Sequence, residues 1–220
     1  MNIFQIIALL ITIACANTHL VFVYYEMEKE RKITKGLIVG MLLLFAFVSK
    51  VTNPLIYIGL IFSLAADILI LFKKRNLFFI ASASCFSVTH ILNFILVWSL
   101  LPNTLSNWMY LTIALLAGYL LVEAFKPLAK PKMKKMSYPA LSYLYIVFAL
   151  VINIFILVTK NPNINTWLML LGSMCFLASD NILTINKFVK PIWKANFLLM
   201  VLYAFGQILI FVPLILELNK

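Results

Sequence analysis

Long apolar runs, separated by short polar or basic stretches, make up most of this 220-residue chain. An α-helix needs about 20 mostly apolar residues to cross the ~30 Å hydrocarbon layer of a membrane. Eight runs approach or reach that length, so the pattern predicts eight transmembrane helices. These runs are Ile3–Tyr24, Gly36–Ser49, Pro54–Phe72, Leu77–Leu100, Asn107–Phe125, Ser137–Thr159, Ile164–Thr184 and Ile192–Leu216.

The composition supports this interpretation. Hydrophobic residues make up 64% of the chain and charged residues 11%, and the mean hydropathy is +1.04. Soluble domains contain about 45–50% apolar and about 25% charged residues, and the connections between the runs are too short for a further soluble domain. We therefore predict an all-α, polytopic membrane protein in which residues 1–220 form a single integral membrane domain.

The distribution of charge predicts the topology. The net charge is +11, and 15 of the 18 basic residues lie in the connections after the first, third, fifth and seventh runs. They are Lys29, Arg31, Lys32 and Lys35; Lys73, Lys74 and Arg75; Lys126, Lys130, Lys132, Lys134 and Lys135; and Lys187, Lys190 and Lys194. By the positive-inside rule these connections are cytoplasmic, which places both termini on the opposite side.

Orientation in the membrane and attraction to anionic lipid explain the lysines better than binding to nucleic acid does. The abundance of Lys, Asn and Ile is typical of an AT-rich genome and points to a bacterial inner (cytoplasmic) membrane.

Metal and disulfide chemistry have little support in the sequence. The three cysteines, Cys15, Cys85 and Cys175, all fall inside apolar runs and far apart. The two histidines, His19 and His90, belong to no HExxH or CxxC motif. We expect neither a metal site, nor a disulfide, nor a cofactor.

Two aspartates interrupt apolar runs at matching depths. Asp67 lies six residues before Lys73, and Asp180 lies seven before Lys187. At ~1.5 Å rise per residue, both carboxyls sit ~9 to 10 Å inside the cytoplasmic boundary. A charged residue at the centre of a membrane helix costs about 2.5–3.5 kcal/mol on insertion scales, so neither is expected to face lipid. Each is a candidate catalytic acid, the alternative being a structural acid hydrogen-bonded inside the bundle.

The surroundings of the two aspartates also resemble each other. Gly59, Ser63 and Asp67 in the third run align with Gly172, Phe176 and Asp180 in the seventh at an offset of 113 residues. The same offset carries His90 in the fourth run onto Tyr203 in the eighth. Four runs separate the copies, so both have the same orientation, and the pattern predicts a parallel four-plus-four internal repeat.

Other polar side chains fall on helical faces that could converge on the aspartates. The eighth run carries Tyr203 and Gln207 on one stripe, and the sixth carries Tyr145 and Asn153 on another. Such groups are more often bonds between membrane helices than chemical participants. The remaining candidates are Ser63, Ser179, His90 and a Tyr119–Glu123 pair one turn apart.

Four segments together resemble a known family. GLIFSLAADILILF in the third run, SVTHILNFI in the fourth, FLASDNILTINKF in the seventh and YAFGQILIF in the eighth are similar to the YhhN family of membrane lysoplasmalogenases. A Pro139-(x3)-Tyr143 step and the eight-run layout belong to the same resemblance. The family usually has Gly-Asp where this chain has Ala66-Asp67, and Lys-Pro where it has Lys35-Gly36.

The resemblance implies hydrolysis of the vinyl ether bond of a lysoplasmalogen to a fatty aldehyde and glycerophospho-ethanolamine or glycerophosphocholine. That reaction needs a proton for the alkene carbon, stabilisation of an oxocarbenium ion and an activated water. Two carboxyls in a low-dielectric pocket can divide these tasks, one as acid and one as base. Asp67 and Asp180 are therefore the expected catalytic pair. Their individual roles stay open at this point.

The remaining candidates would then bind or support the lysophospholipid substrate. We expect His90, Tyr203, Gln207, Tyr119 and Glu123 to orient water or the glycerol hydroxyls. The pocket would open toward the cytoplasmic leaflet, with the phosphate near the basic loops. The sequence leaves the oligomeric state open, a dimer included.

Two rival functions use the same acids. A small transporter could relay protons or bind a cation through repeated membrane aspartates, although the runs are not broken by Gly or Pro at Asp67 and Asp180. Intramembrane aspartyl proteases pair a Tyr-Asp with a Gly-x-Gly-Asp on adjacent spans. Here the contexts are Ala-Ala-Asp and Ala-Ser-Asp, four runs apart, which fits that class poorly.

Overall fold

The structure, a computed structural model, describes residues 1–72, 76–102, 104–125, 137–188 and 190–219. Within these ranges the chain is all helical. The helices are α1 (Ile3–Tyr24), α2 (Glu28–Val48), α3 (Pro54–Leu69), α4 (Asn76–Ser99), α5 (Leu105–Phe125), α6 (Ser137–Lys160), α7 (Ile164–Phe188) and α8 (Ala195–Leu218). Each predicted run corresponds to one of these helices. The basic clusters at 73–75 and 126–135 lie outside the described residues.

Five helices in the described part are long and apolar enough to cross a membrane: Ile3–Tyr24, Leu77–Ser99, Ser142–Lys160, Ile164–Lys187 and Ala195–Leu218. Helix α3 is also apolar but has only 16 residues, and α2 carries charged residues through its first turns. These helices indicate an integral membrane protein. Eight crossings and the side on which the termini lie stay predictions.

The start of α2 corrects the sequence prediction. The helix begins at Glu28, not at Gly36, so Lys29, Arg31, Lys32 and Lys35 are helical residues and not a connection. Glu28 and Glu30 lie in its first turn, where carboxylates interact favourably with the helix dipole. The hydropathy of these turns is low because they contain many charged side chains, although one face of the helix continues from them into the apolar second run. That face is formed by Thr34, Ile38, Val39, Leu42, Phe45 and Ala46, all buried.

Consecutive helices pack in pairs, α1 with α2, α3 with α4, α5 with α6 and α7 with α8. Helix α2 also packs on α3 and α8, and α6 packs on α7 and α4. Each of these contacts has a counterpart four helices along the chain, as a duplicated four-helix unit would give, whereas the packing of α1 on α8 has no counterpart of similar extent between α5 and α4 in the described residues. The duplication itself stays a prediction.

Hydrogen bonds from buried polar side chains to the backbone of other helices hold the bundle together. Ser82 donates to the carbonyl of Ala66 and Thr89 to that of Gly59, both at 2.9 Å, which ties α4 to α3. Asn153 on α6 donates to Phe94 on α4, also at 2.9 Å. Such bonds satisfy polar groups where no water competes, as expected between membrane helices.

Candidate functional site

Asp67 lies in the middle of the bundle with two partners from other helices. Its side chain is 0% exposed. The Tyr203 hydroxyl on α8 donates to Oδ2 at 2.6 Å. The Lys35 ammonium on α2 lies 3.7 Å from Oδ1, and the Lys35 side chain is only 13% exposed. Burying a charge is costly unless the charge is paired. The ion pair between Asp67 and Lys35 therefore accounts for the burial of both side chains.

Close packing of α2 on α3 places Lys35 at this position. The next residue, Gly36, lies against Leu64 of α3, and a Cβ on Gly36 would be 3.1 Å from the Leu64 Cδ1 atom. A Cβ there would require the end of the Leu64 side chain to shift by a few tenths of an ångström. The absence of a side chain at Gly36 therefore lets α2 and α3 pack closely next to Lys35.

Asp180 occupies the corresponding place on α7 but has a different environment. The Tyr143 hydroxyl on α6 donates to Oδ2 of Asp180 at 2.6 Å. Among the described contacts, no cation pairs with Asp180 and no hydrogen bond joins it to Asp67. Each carboxyl is thus held by its own tyrosine, and among the described ion pairs a lysine lies beside Asp67 alone.

Aromatic rings fill the space between the two Asp-Tyr pairs. The Phe176 ring, one turn before Asp180, lies 5.6 Å from the Tyr203 ring and 4.6 Å from the His90 ring, measured between centroids. The His90 ring in turn lies 6.0 Å from that of Tyr143. Both His90 nitrogens are buried, and neither has a hydrogen-bond partner among the residues that the structure describes. His90 therefore lies beside the Asp180 pair, in an apolar layer that keeps the local dielectric low.

Ser63 and Gln207 extend the Asp67 side of the site. The Gln207 amide donates to the Ser63 hydroxyl at 3.0 Å, and both residues are fully buried. Ser63 lies one turn before Asp67 on α3, and Gln207 one turn after Tyr203 on α8. This bond fixes the two helices that bring Tyr203 to Asp67.

Four of the predicted site residues lie elsewhere or make other contacts. The Tyr119 side chain on α5 is 54% exposed. The Tyr145 hydroxyl donates to the Leu115 carbonyl on α5 at 3.2 Å, and Ser179 donates to the Leu199 carbonyl on α8 at 2.9 Å. Glu123 is half-buried on α5, which packs on α6. The structure brings Asp67, Tyr203, Ser63 and Gln207 together, and His90 near Asp180, whereas Tyr119 is exposed and the described bonds of Tyr145 and Ser179 go to backbone carbonyls of other helices.

A cavity of about 360 Å³ opens beside Lys35 at the end of the bundle that carries the basic residues. We call it the head-group cavity. Its polar lining consists of His19, Arg31, Lys35, Asn186, Lys187 and Asn196. Apolar side chains such as Phe79, Leu183 and Met200 complete the wall. The cavity is thus cationic at its polar surface and apolar elsewhere.

A second cavity of about 370 Å³ adjoins the first and shares Arg31, Asn186 and Asn196 with it. Glu26 and Glu28 line only this second cavity, together with Lys194. The head-group cavity is therefore lined by cations, and the adjoining cavity is lined by both acidic and basic side chains. In the described part of the chain, no three His, Cys, Asp or Glu side chains come together as a metal site would require.

Sequence reasoning missed Lys35 and Tyr143 as site residues. Lys35 was counted as a loop charge, although Arg31, Lys35, Ile38 and Leu42 follow the 4, 3, 4 spacing of one helical face. Tyr143 was noted only as part of the family resemblance. Extending the second run upstream would have placed Lys35 on the buried side of α2.

A model of the YhhN family matches residues 30–214, which is most of the chain. The match includes Lys35, Asp67, Tyr143, Asp180 and Tyr203. Comparison with curated proteins and with solved structures gave no significant match.

Proposed function

Because the chain belongs to the YhhN family, whose members are known as lysoplasmalogenases, we propose that it hydrolyses the vinyl ether bond of lysoplasmalogens. The reaction consumes one water molecule, and its products are a fatty aldehyde and glycerophospho-ethanolamine or glycerophosphocholine. The observation that carries the proposal is the two carboxyls inside the bundle, the fully buried Asp67 and the half-buried Asp180, each hydrogen-bonded by a tyrosine at 2.6 Å.

The different partners of the two carboxyls support different roles. Lys35 stabilises the charged form of Asp67, which suits a carboxylate that activates water and stabilises the oxocarbenium ion. Asp180 has the neutral Tyr143 hydroxyl on one oxygen, which leaves its other oxygen to carry a proton. Asp180 would donate that proton to the alkene carbon, and the ether oxygen would leave with the glycerol when the hemiacetal breaks down.

The head-group cavity supports a phospholipid substrate. Arg31 and Lys187 line it beside Lys35, and guanidinium and ammonium groups are the usual ligands of phosphate. The adjoining cavity with Glu26 and Glu28 could accept the positive amine of a zwitterionic head group. With the phosphate in the first cavity, the glycerol lies toward Lys35 and Asp67, and the alkenyl chain runs into the apolar bundle.

The proposal includes the membrane arrangement. Eight crossings, a parallel four-plus-four duplication and cytoplasmic basic loops would place both carboxyls at the same depth beneath the cytoplasmic surface. The head-group cavity would then face the inner leaflet of a bacterial inner membrane, from which a lysolipid can enter without crossing water. Cysteine accessibility at Asn2 and Asn219, measured in intact cells and in inverted vesicles, tests the side on which the termini lie.

The direct test uses the purified protein in detergent. A vinyl ether lysolipid is incubated with the protein, and the aldehyde is measured by mass spectrometry. Aldehyde should form from the vinyl ether but not from the matched saturated alkyl ether, because the saturated ether has no alkene carbon to protonate. A folded protein that releases no aldehyde from any vinyl ether lysolipid would contradict the proposal.

A transporter remains the second candidate, and the Lys35–Asp67 ion pair favours it. A buried ion pair beside a cavity at one end of the bundle could exchange a proton with substrate. Substrate-dependent proton flux in proteoliposomes, without a lipid product, would support transport. Aldehyde formation in detergent, where no gradient exists, would support hydrolysis.

A further inference from the structure

His19 is a fully buried histidine that the proposed reaction leaves without a role. It lies on α1, ahead of residues 30–214 that the family model matches, and its side chain is 0% exposed. It nevertheless contributes to the wall of the head-group cavity, together with Arg31 and Lys35. Packing alone does not explain why a polar ring, in place of an apolar one, lines that wall.

The hydrogen bonds around His19 favour one tautomer of its ring. The Thr34 hydroxyl donates to the Glu30 carbonyl at 2.8 Å, one turn back on α2. The same hydroxyl oxygen lies 2.8 Å from Nδ1 of His19, so it is left to accept from an Nδ1–H group. In that tautomer the other ring nitrogen, Nε2, is a hydrogen-bond acceptor.

This Nε2 atom is buried and has no hydrogen-bond partner among the described residues. A buried acceptor without a donor is unfavourable, and because the His19 ring borders the cavity, a molecule bound there is the candidate donor. A phosphate or a carboxylate has only acceptor oxygens to offer. None of the described residues, Lys35 included, donates to Nε2, so the occupant would have to offer an alcohol or an ammonium.

Resting on the proposed function, we infer that Nε2 of His19 accepts a hydrogen bond from the free 2-hydroxyl of the lysolipid glycerol. That hydroxyl is the only alcohol of a lysoplasmalogen with an ethanolamine or choline head group. It lies between the carbon that bears the vinyl ether and the carbon that bears the phosphate. His19 is well placed for it, because Lys35 at the carboxylate and Arg31 at the phosphate line the same cavity. A lipid acylated at this oxygen has no donor there, so His19 would select lysolipids.

The experiment compares two vinyl ether substrates, the 2-hydroxy lysolipid and its 2-deoxy analogue. Their uncatalysed acid hydrolysis corrects for intrinsic reactivity. The wild type should prefer the 2-hydroxy substrate at least about 10-fold in kcat/KM, because the analogue leaves Nε2 unpaired. His19→Phe keeps an aromatic ring without an acceptor and should lose this preference through a slower reaction of the 2-hydroxy substrate. His19→Gln, which retains an acceptor oxygen, should keep part of it.

Equal rates for both substrates in the wild type, or an undiminished preference in His19→Phe, would overturn the inference. If His19→Phe does not fold, Thr34→Val serves in its place. That variant removes the acceptor that holds the proton on Nδ1, so the preference should fall without any change to His19 itself.

Binding of uncleavable alkyl ethers, with and without the 2-hydroxyl, separates this inference from the proposed function. The readout is the shift in Tm of the purified protein. A 2-hydroxyl preference that is lost in His19→Phe supports the role of His19 even if no vinyl ether is cleaved. Aldehyde formation without any 2-hydroxyl preference would overturn the role of His19 and leave the hydrolase proposal standing.

Discussion

The two membrane aspartates occupy corresponding helices and have similar sequence neighbours, yet their surroundings differ. Asp67 is fully buried between a lysine and a tyrosine, whereas Asp180 is half-buried and its described partner is the Tyr143 hydroxyl. Two similar sequence motifs can therefore supply two carboxyls, while the neighbouring helices determine the chemical environment of each carboxyl. Helix α2 contributes a cation to one, and α6 contributes a neutral donor to the other.

The largest effect is expected at Lys35. Lys35→Met leaves the Asp67 carboxylate buried without its cation, and removal of one partner from a buried ion pair costs about 3–5 kcal/mol. Thermal unfolding in detergent should show this loss, and aldehyde release should fall at least about 100-fold. Adding Asp67→Asn should restore stability but not activity.

The matched control is Lys32→Met. The Lys32 side chain is 53% exposed, and its ion pair with Glu28 spans 4.0 Å. That change should cost less than about 1 kcal/mol. Equal effects at Lys35 and Lys32 would argue against a buried pair.

The next effect compares the two tyrosines. Tyr143→Phe removes the described partner of Asp180, while Tyr203→Phe leaves Asp67 with Lys35. A hydrogen bond to a charged or acidic group is worth about 1.5–3 kcal/mol, which corresponds to about 10- to 100-fold in rate. The loss of kcat for aldehyde release should lie near the upper end of this range for Tyr143→Phe and near the lower end for Tyr203→Phe. The reverse order would mean that the partners do not divide the roles as proposed.

Two glycines at the same offset test how far the two halves differ in packing. A Cβ on Gly172 would lie 2.7 Å from the Leu209 Cβ atom, whereas a Cβ on Gly59 would meet its nearest neighbours at 3.9 Å. Gly172→Ala should therefore destabilise by about 1–3 kcal/mol through overpacking. Gly59→Ala should be neutral or slightly stabilising, since alanine favours helix by up to about 1 kcal/mol. The unfolding midpoints of the two variants make the comparison, and similar losses would contradict it.

The smallest effect is expected at the tyrosines away from the carboxyls. Tyr119→Phe and Tyr145→Phe should change aldehyde release by less than about twofold, since their hydroxyls do not contact Asp67 or Asp180. A loss of activity as large as that of Tyr203→Phe would place α5 in the site after all. The assay is the same as for Tyr143→Phe, so the four tyrosine variants form one series.

Much of the helical layout could be predicted because apolar runs report directly on membrane helices. All eight runs correspond to helices, and the beginning of α3 was predicted at the correct residue, Pro54. The beginning of α2 was wrong because hydropathy cannot distinguish charges in a loop from charges on a helix. Lys35 is buried only because Asp67 lies on the neighbouring helix, and a one-dimensional pattern does not contain that relation.

The site could be predicted only in part for a similar reason. Helical spacing identified the face of α8 that carries Tyr203 and Gln207, and the structure places both on the Asp67 side. The same reasoning chose Tyr145 on α6, whose hydroxyl instead bonds the backbone of α5. Tyr143, two residues earlier, reaches Asp180. Periodicity defines a face, but the packing partner of that face decides which residue meets the carboxyl.

Aldehyde release in D₂O tests the central claim most directly. Wild-type protein, Asp67→Asn and Asp180→Asn are purified, checked for folding, and incubated with a vinyl ether lysolipid. The wild type should release an aldehyde with one deuterium on the carbon next to the carbonyl, because the proton from the acid goes to that alkene carbon. Both variants should be at least about 100-fold slower. No aldehyde from the folded wild type, or a wild-type rate in either variant, would contradict the account.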